Sequence, residues 1–76
     1  GLHARPAAMF VKMANTFTSD IWVKFDDDEV NGKSIMGLMM LAAPAASELE
    51  VSAEGEDSVQ AVDSLGELIE GGFEED

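Results

Sequence analysis

Glu48-Leu49-Glu50-Val51-Ser52-Ala53-Glu54 alternates a polar with an aliphatic side chain at every step. Period two is the pitch of an extended chain, so Leu49, Val51 and Ala53 share one face and the acids and Ser52 the other, as in a half-buried strand. Upstream, Ile21-Trp22-Val23-Lys24-Phe25 repeats the pattern, with Ile21, Val23 and Phe25 inward and Trp22 on the other face. The acids at 26–29 then read as a solvated hairpin turn into a short strand over 29–31. Outside the strands the period changes. Ala7, Phe10, Val11, Ala14 and Phe17 recur at three-and-four spacing, which predicts a helix over 4–16 with Lys12 facing solvent. Asn31-Gly32 is a tight-turn pair in its own right, yet Lys33 to Leu41 reads better as a short helix N-capped by Ser34. Residues 42–47, with Pro44, form a small-residue connection. After Gly55, Asp57 and Gln60 are placed for a capping box opening a last helix. Val59, Val62, Leu65 and Ile69 form its inward stripe, with Leu68 at the edge, and Gly71-Gly72 ends it. Phe73 is expected to fold back on the core, and 74–76 to fray.

The order is helix, two strands, short helix, strand, helix, which predicts one 1–76 domain with helices covering one face of a small antiparallel sheet. Three strands are few, and Gly1-Leu2 reads as though a strand had just ended. An expected first β-strand is absent from this chain.

Bulk properties narrow the function classes. A chain of 76 residues builds one modest core. With no cysteine there is no disulfide framework or thiol chemistry, which fits a reducing compartment such as the cytoplasm. No apolar run reaches the ~18 residues of a membrane span. The net charge of −12 argues against nucleic acid as a partner and for proteins. That charge is uneven, because the four bases Arg5, Lys12, Lys24 and Lys33 all precede residue 34, while residues 48–76 hold eleven acids and no base. A near-neutral or basic working end and an acidic far end follow.

The chemistry is concentrated in Gly1-Leu2-His3-Ala4-Arg5-Pro6, which holds the only histidine and the only arginine. One His without Cys falls short of a metal-ligand set, and the acids at 26–29 lack the spacing and glycine of a calcium loop. No metal and no cofactor are expected. Pro6 suits a first helical turn, which places His3 beside unpaired backbone N–H groups and the positive end of the helix dipole. Arg5 adds a planar cationic fork suited to phosphate. A histidine that takes a phosphoryl group is one reading of these residues; an ordinary polar surface is the other.

Two stretches together tilt that choice. Gly1-Leu2-His3-Ala4-Arg5-Pro6-Ala7 and Lys33-Ser34-Ile35-Met36-Gly37-Leu38-Met39 resemble the HPr family, the histidine-containing phosphocarriers of the bacterial phosphoenolpyruvate-dependent phosphotransferase system. The similarity runs the length of the chain. It implies an α+β open-faced β-sandwich of β-α-β-β-α-β-α order, of which this chain lacks the first strand. It also implies that His3 accepts phosphate from phospho-enzyme I on Nδ1 and passes it to an EIIA-type acceptor, with Arg5 as anion partner. Ser34 matches the family's regulatory serine, the target in some bacteria of HPr kinase/phosphorylase. Lys12, Ile35, Met36, Met39 and Met40 fall on the partner-docking surface, with Arg5, Lys12 and Lys33 left to attract an acidic partner. The Met-rich helix and the acidic strand after it resemble the nitrogen-regulatory or proteobacterial branch more than the sugar-transport type. Residues 42–47 depart from the glycine-containing connection common in the family.

Two rivals remain in view. Asp63-Ser64-Leu65 matches the tripeptide that carries phosphopantetheine in acyl carrier proteins, but only twelve residues follow Ser64 and two alternating strands contradict an all-helical carrier. An HPr-like regulatory binding module that keeps the fold without relaying phosphate is the nearer alternative.

Overall fold

The computed structural model describes residues 3–41 and 48–71. The sequence expectations for Gly1-Leu2, the 42–47 connection, Phe73 and the 74–76 tail lie outside the described residues. The elements run α1 (Ala4–Ala14), β1 (Asp20–Phe25), β2 (Asp28–Asn31), α2 (Ile35–Met40), β3 (Glu50–Glu54) and α3 (Ser58–Glu70). Among the described residues the sheet has three antiparallel strands in the order β2-β1-β3. Val23 at its centre faces Val30 on one side and Val51 on the other.

The helices pack on one face of this sheet because both expected periodicities are satisfied there. Ala7, Phe10, Val11 and Ala14 of α1, Ile21 and Val23 of β1, Leu38 of α2, Leu41, Leu49, and Ala61, Leu65 and Ile69 of α3 form one buried cluster. Trp22, on the opposite face of β1, is half-buried. Phe25 ends β1 and Asp28 opens β2 directly opposite it, so Asp26-Asp27 is a two-residue hairpin loop. Asp26 sits at φ 59, a left-handed conformation that its short polar side chain tolerates.

Three sequence expectations are corrected. α1 stops at Ala14, two residues early, because Asn15 Nδ2 donates to Val11 O and Thr16 Oγ1 to Met13 O, and these side chains take up the terminal carbonyls. Asp57 caps α3 by position but makes no capping hydrogen bond, so the capping box with Gln60 does not form. The inward stripe of α3 is Ala61, Leu65 and Ile69; Val62 is half-buried and Val59 is 75% exposed. β3 is an edge strand among the described residues, and nothing covers Val59 beyond it. For the same reason Val51 and Ala53 face inward but are only half-buried.

Asp57 instead ties the β3–α3 turn to the α1–β1 turn, at the end of the sheet where Asp20 pairs with Glu54. Its carboxylate accepts from the backbone N–H of Thr18 at 2.9 Å and of Ser19 at 3.0 Å, and from Ser19 Oγ. Gly55, at φ 146, lets β3 turn against this clamp; a Cβ there would collide with Ser19. The hydroxyl of Ser19 and the two N–H groups hold the Asp57 carboxyl down at about 2, below its ordinary 3.8.

Candidate functional site

His3 is the N-cap of α1, in an extended conformation (φ −69, ψ 164). Its carbonyl accepts from Ala7 N at 3.1 Å, while its imidazole makes no capping hydrogen bond. The ring is therefore carried at the helix entrance without being used to hold the helix together. His3 and Arg5 are both exposed, whereas Pro6 and Ala7 are buried and anchor the first turn in the core. First-turn amides of a helix point toward its N-terminal end and carry partial positive charge, so an anion on the imidazole would meet favourable potential. Arg5, in the same turn, adds a full positive charge.

The second sequence motif is placed as expected. Ser34 caps α2, its Oγ accepting from Gly37 N at 3.0 Å. Only Leu38 within α2 is buried. The remainder of the helix faces outward: Met36 is 73% and Met40 78% exposed, and Ile35 and Met39 are also exposed. A single buried residue cannot hide five large side chains, so the others are left outside as a soft apolar patch. Gly37 permits the close seating of α2, since a Cβ there would lie 3.2 Å from Val30 Cβ and 3.3 Å from Ser34 Oγ. α1 and α2 pack on each other, so exposed Lys12 and the α2 patch belong to neighbouring elements.

Lys33 is placed differently from a free docking cation. It is half-buried, and its Nζ donates to Phe17 O at 2.9 Å. No local pattern signals this contact, which joins residues sixteen apart. The Asp57 clamp was hidden for the same reason; its only local signal is an acid at a helix start.

A groove of about 560 Å³ opens between α1 and α3, lined by Met9, Met13, Phe17 and Leu68 with Lys12 at its rim. Neither His3, Arg5 nor Ser34 lines it; His3 and Arg5 stand on exposed surface. Ser64 also lines this groove, half-buried in the middle of α3 and beside a β-sheet, which removes the acyl-carrier reading. Among the described residues no three His, Cys, Asp or Glu side chains gather to hold a metal ion, and no helix is long and apolar enough to cross a membrane.

Comparison with known proteins agrees with the geometry. The family model described as "PTS HPr component phosphorylation site" matches residues 1–71. The chain is 48% identical over 75 residues to the phosphocarrier protein HPr of Neisseria meningitidis, covering 99% of this chain and 84% of that protein. It is 49% identical over 70 residues to the HPr-like protein Crh of Bacillus subtilis, covering 92% of this chain and 82% of that one. The crystal structure of HPr-C-His from Thermoanaerobacter tengcongensis superposes with a TM-score of 0.86 at 48% identity, over 100% of this chain and 85% of that one. A histidine at a helix entrance that makes no capping bond, a serine-capped methionine helix and an antiparallel open-faced sheet thus occur together in a chain that belongs to the HPr family of phosphotransferase-system phosphocarriers.

Proposed function

We propose that this chain relays a phosphoryl group through His3 in the cytoplasm. The unprotonated Nδ1 of the imidazole attacks phosphorus on phospho-enzyme I; the N–P bond forms as the bond from phosphorus to the donor breaks, and the reverse exchange delivers the group to an EIIA-type acceptor. Such transfer depends on positioning and charge stabilisation more than on covalent machinery, and α1's first turn with Arg5 supplies both. The observation that carries this reading is the exposed His3 ring at the α1 entrance, free of any capping role. The open surface fits a carrier, which must present the same atom to two partners in turn.

Lys12, Ile35, Met36, Met39 and Met40 form the docking surface, with a cation for an acidic rim and methionines for an apolar centre. Ser34 is a regulatory site for an HPr kinase/phosphorylase. Phosphate on its Oγ would add ~1.5–2 negative charges beside that surface and weaken docking of an acidic partner.

Incubation with phosphoenolpyruvate and enzyme I should yield an acid-labile phosphoprotein, and a His3→Ala variant should take no label. Equal labelling of that variant would remove His3 from the relay. The similarity to the HPr-like protein Crh favours a second reading, a regulatory binding module without relay. A wild-type chain that stays unlabelled while still binding its partner would select it.

A further inference from the structure

We propose that Lys33 is a positioning residue: its ammonium, tied to the Phe17 carbonyl, sets the seat of α2 and hence of the docking patch, and does not itself meet the partner. This rests on the relay proposed above. α2 is weakly anchored by apolar contacts, since it spans only Ile35–Met40 and buries Leu38 alone. What holds its entrance is polar. Gly32 N donates to Ile21 O at 2.7 Å, Lys33 N to Asn31 Oδ1 at 2.8 Å and Ser34 N to Asn31 O at 3.1 Å, which fixes the backbone on the sheet side. The remaining tether is Lys33 Nζ to Phe17 O at 2.9 Å, half-buried, which reaches across to the chain leaving α1. Phe17 O lies in the turn that follows α1, three residues past Ala14.

One side chain therefore joins the exit of α1 to the entrance of α2, the two elements that carry Lys12 and the methionines. A docking surface divided between two elements is effective only while their relative placement is kept. Without the ammonium, the Phe17 carbonyl turns to water and α2 retains Leu38, Leu41 and the Ser34 cap. Its exposed methionines then sample orientations that a partner must select from, which weakens binding and leaves the chemistry at His3 untouched.

The test compares Lys33→Met, which keeps the stem and removes the charge, with Lys33→Arg, which can still donate to the carbonyl. In the free protein, amide exchange at Gly37 and Leu38 is expected to quicken about tenfold in Lys33→Met. Exchange at Val23 in the central strand stays unchanged, and Lys33→Arg restores the wild-type pattern. In transfer from phospho-enzyme I, Lys33→Met is expected to raise KM several-fold with kcat unchanged. The ratio to wild type should be the same at about 0.05 M and about 0.5 M salt, because a tether within the fold is screened far less than a contact between exposed charges. Unchanged exchange at Gly37 and Leu38, acceleration spread evenly over the sheet, or a KM penalty that vanishes at high salt would each overturn the proposal. Failure of the wild-type protein to take phosphate would instead overturn the relay, and the exchange measurement would still decide the tether.

Discussion

Asp57 and His3 show how differently two polar residues at helix entrances are used. Each stands at an N-cap position without making a capping hydrogen bond. His3 is left exposed at the α1 entrance, while Asp57 is spent on Thr18 and Ser19, thirty-nine and thirty-eight residues away in the chain. The bonds from Ser19 Oγ and the two N–H groups favour the charged carboxylate, holding it at about 2 against an ordinary 3.8. A carboxylate depressed in the folded state stabilises it above the unfolded pKa and loses that contribution as pH falls through the folded one. The clamp is thus fully present at neutral pH and is lost between about pH 4 and about pH 2. Asp57→Asn should melt lower than wild type at neutral pH, and the gap should narrow across that acid window. Melting curves for the two proteins that stay parallel down to pH 2 would show that the charge on Asp57 does not hold the clamp.

At the scale of elements, α2 allows stability and the proposed docking role to be tested separately. Ser34→Ala removes the bond to Gly37 N and should cost about 1 kcal/mol, read as faster amide exchange within α2 more than as a change in global melting. Ser34→Asp keeps an acceptor at the N-cap, so the helix should persist, yet it places negative charge beside the methionines. Transfer from enzyme I should slow several-fold in Ser34→Asp, and an unchanged rate would argue against α2 as a docking element. Elements with local signals were legible from sequence: the alternation at Ile21 and Val23, the three-and-four spacing of Phe10 and Ala14, and the cap at Ser34 all depend on near neighbours. The face of α3 was not. Val59 and Val62 are the larger apolar residues, but Ala61 is the one against the core, because the neighbours of the helix choose the stripe and small size suits close packing. The Asp57 clamp and the Lys33 tether join residues distant in sequence, and no periodicity reports such contacts. The positions of His3 and Arg5 at a helix entrance and of the methionines on a short helix were legible because helix signals are local.

For the molecule as a whole, the free edge of β3 meets the uneven charge. Among the described residues β3 pairs with β1 alone, and beside it a hollow of about 310 Å³ is lined by Ala53, Ser58, Val59, Val62 and Asp63. The outward residues Glu50 and Glu54 make antiparallel pairing of two copies through this edge unfavourable, since like charges would oppose each other across the new seam. A strand with aliphatic residues on the helix side and lysines on the solvent side fits the same edge: its amides complete the ladder, its aliphatics fill the hollow, and its cations offset part of the −12. Extending this chain at its N-terminus by a strand of that pattern should therefore stabilise it. Covering most of Val59 contributes about 1–2 kcal/mol, before any gain from Val62 or the ladder. In a domain of this size each 1 kcal/mol moves the melting temperature by about 4–8 °C, so a rise of at least about 5 °C is expected. The increment should be larger at low salt, where repulsion among the acids of β3 and α3 is least screened. An extension whose lysines are exchanged for glutamates separates the two contributions, since it keeps the ladder and the aliphatics and should give the smaller rise, most visibly at low salt. Equal melting temperatures for the extended and unextended chains would mean that the β3 edge and its hollow contribute nothing as a seat for a fourth strand.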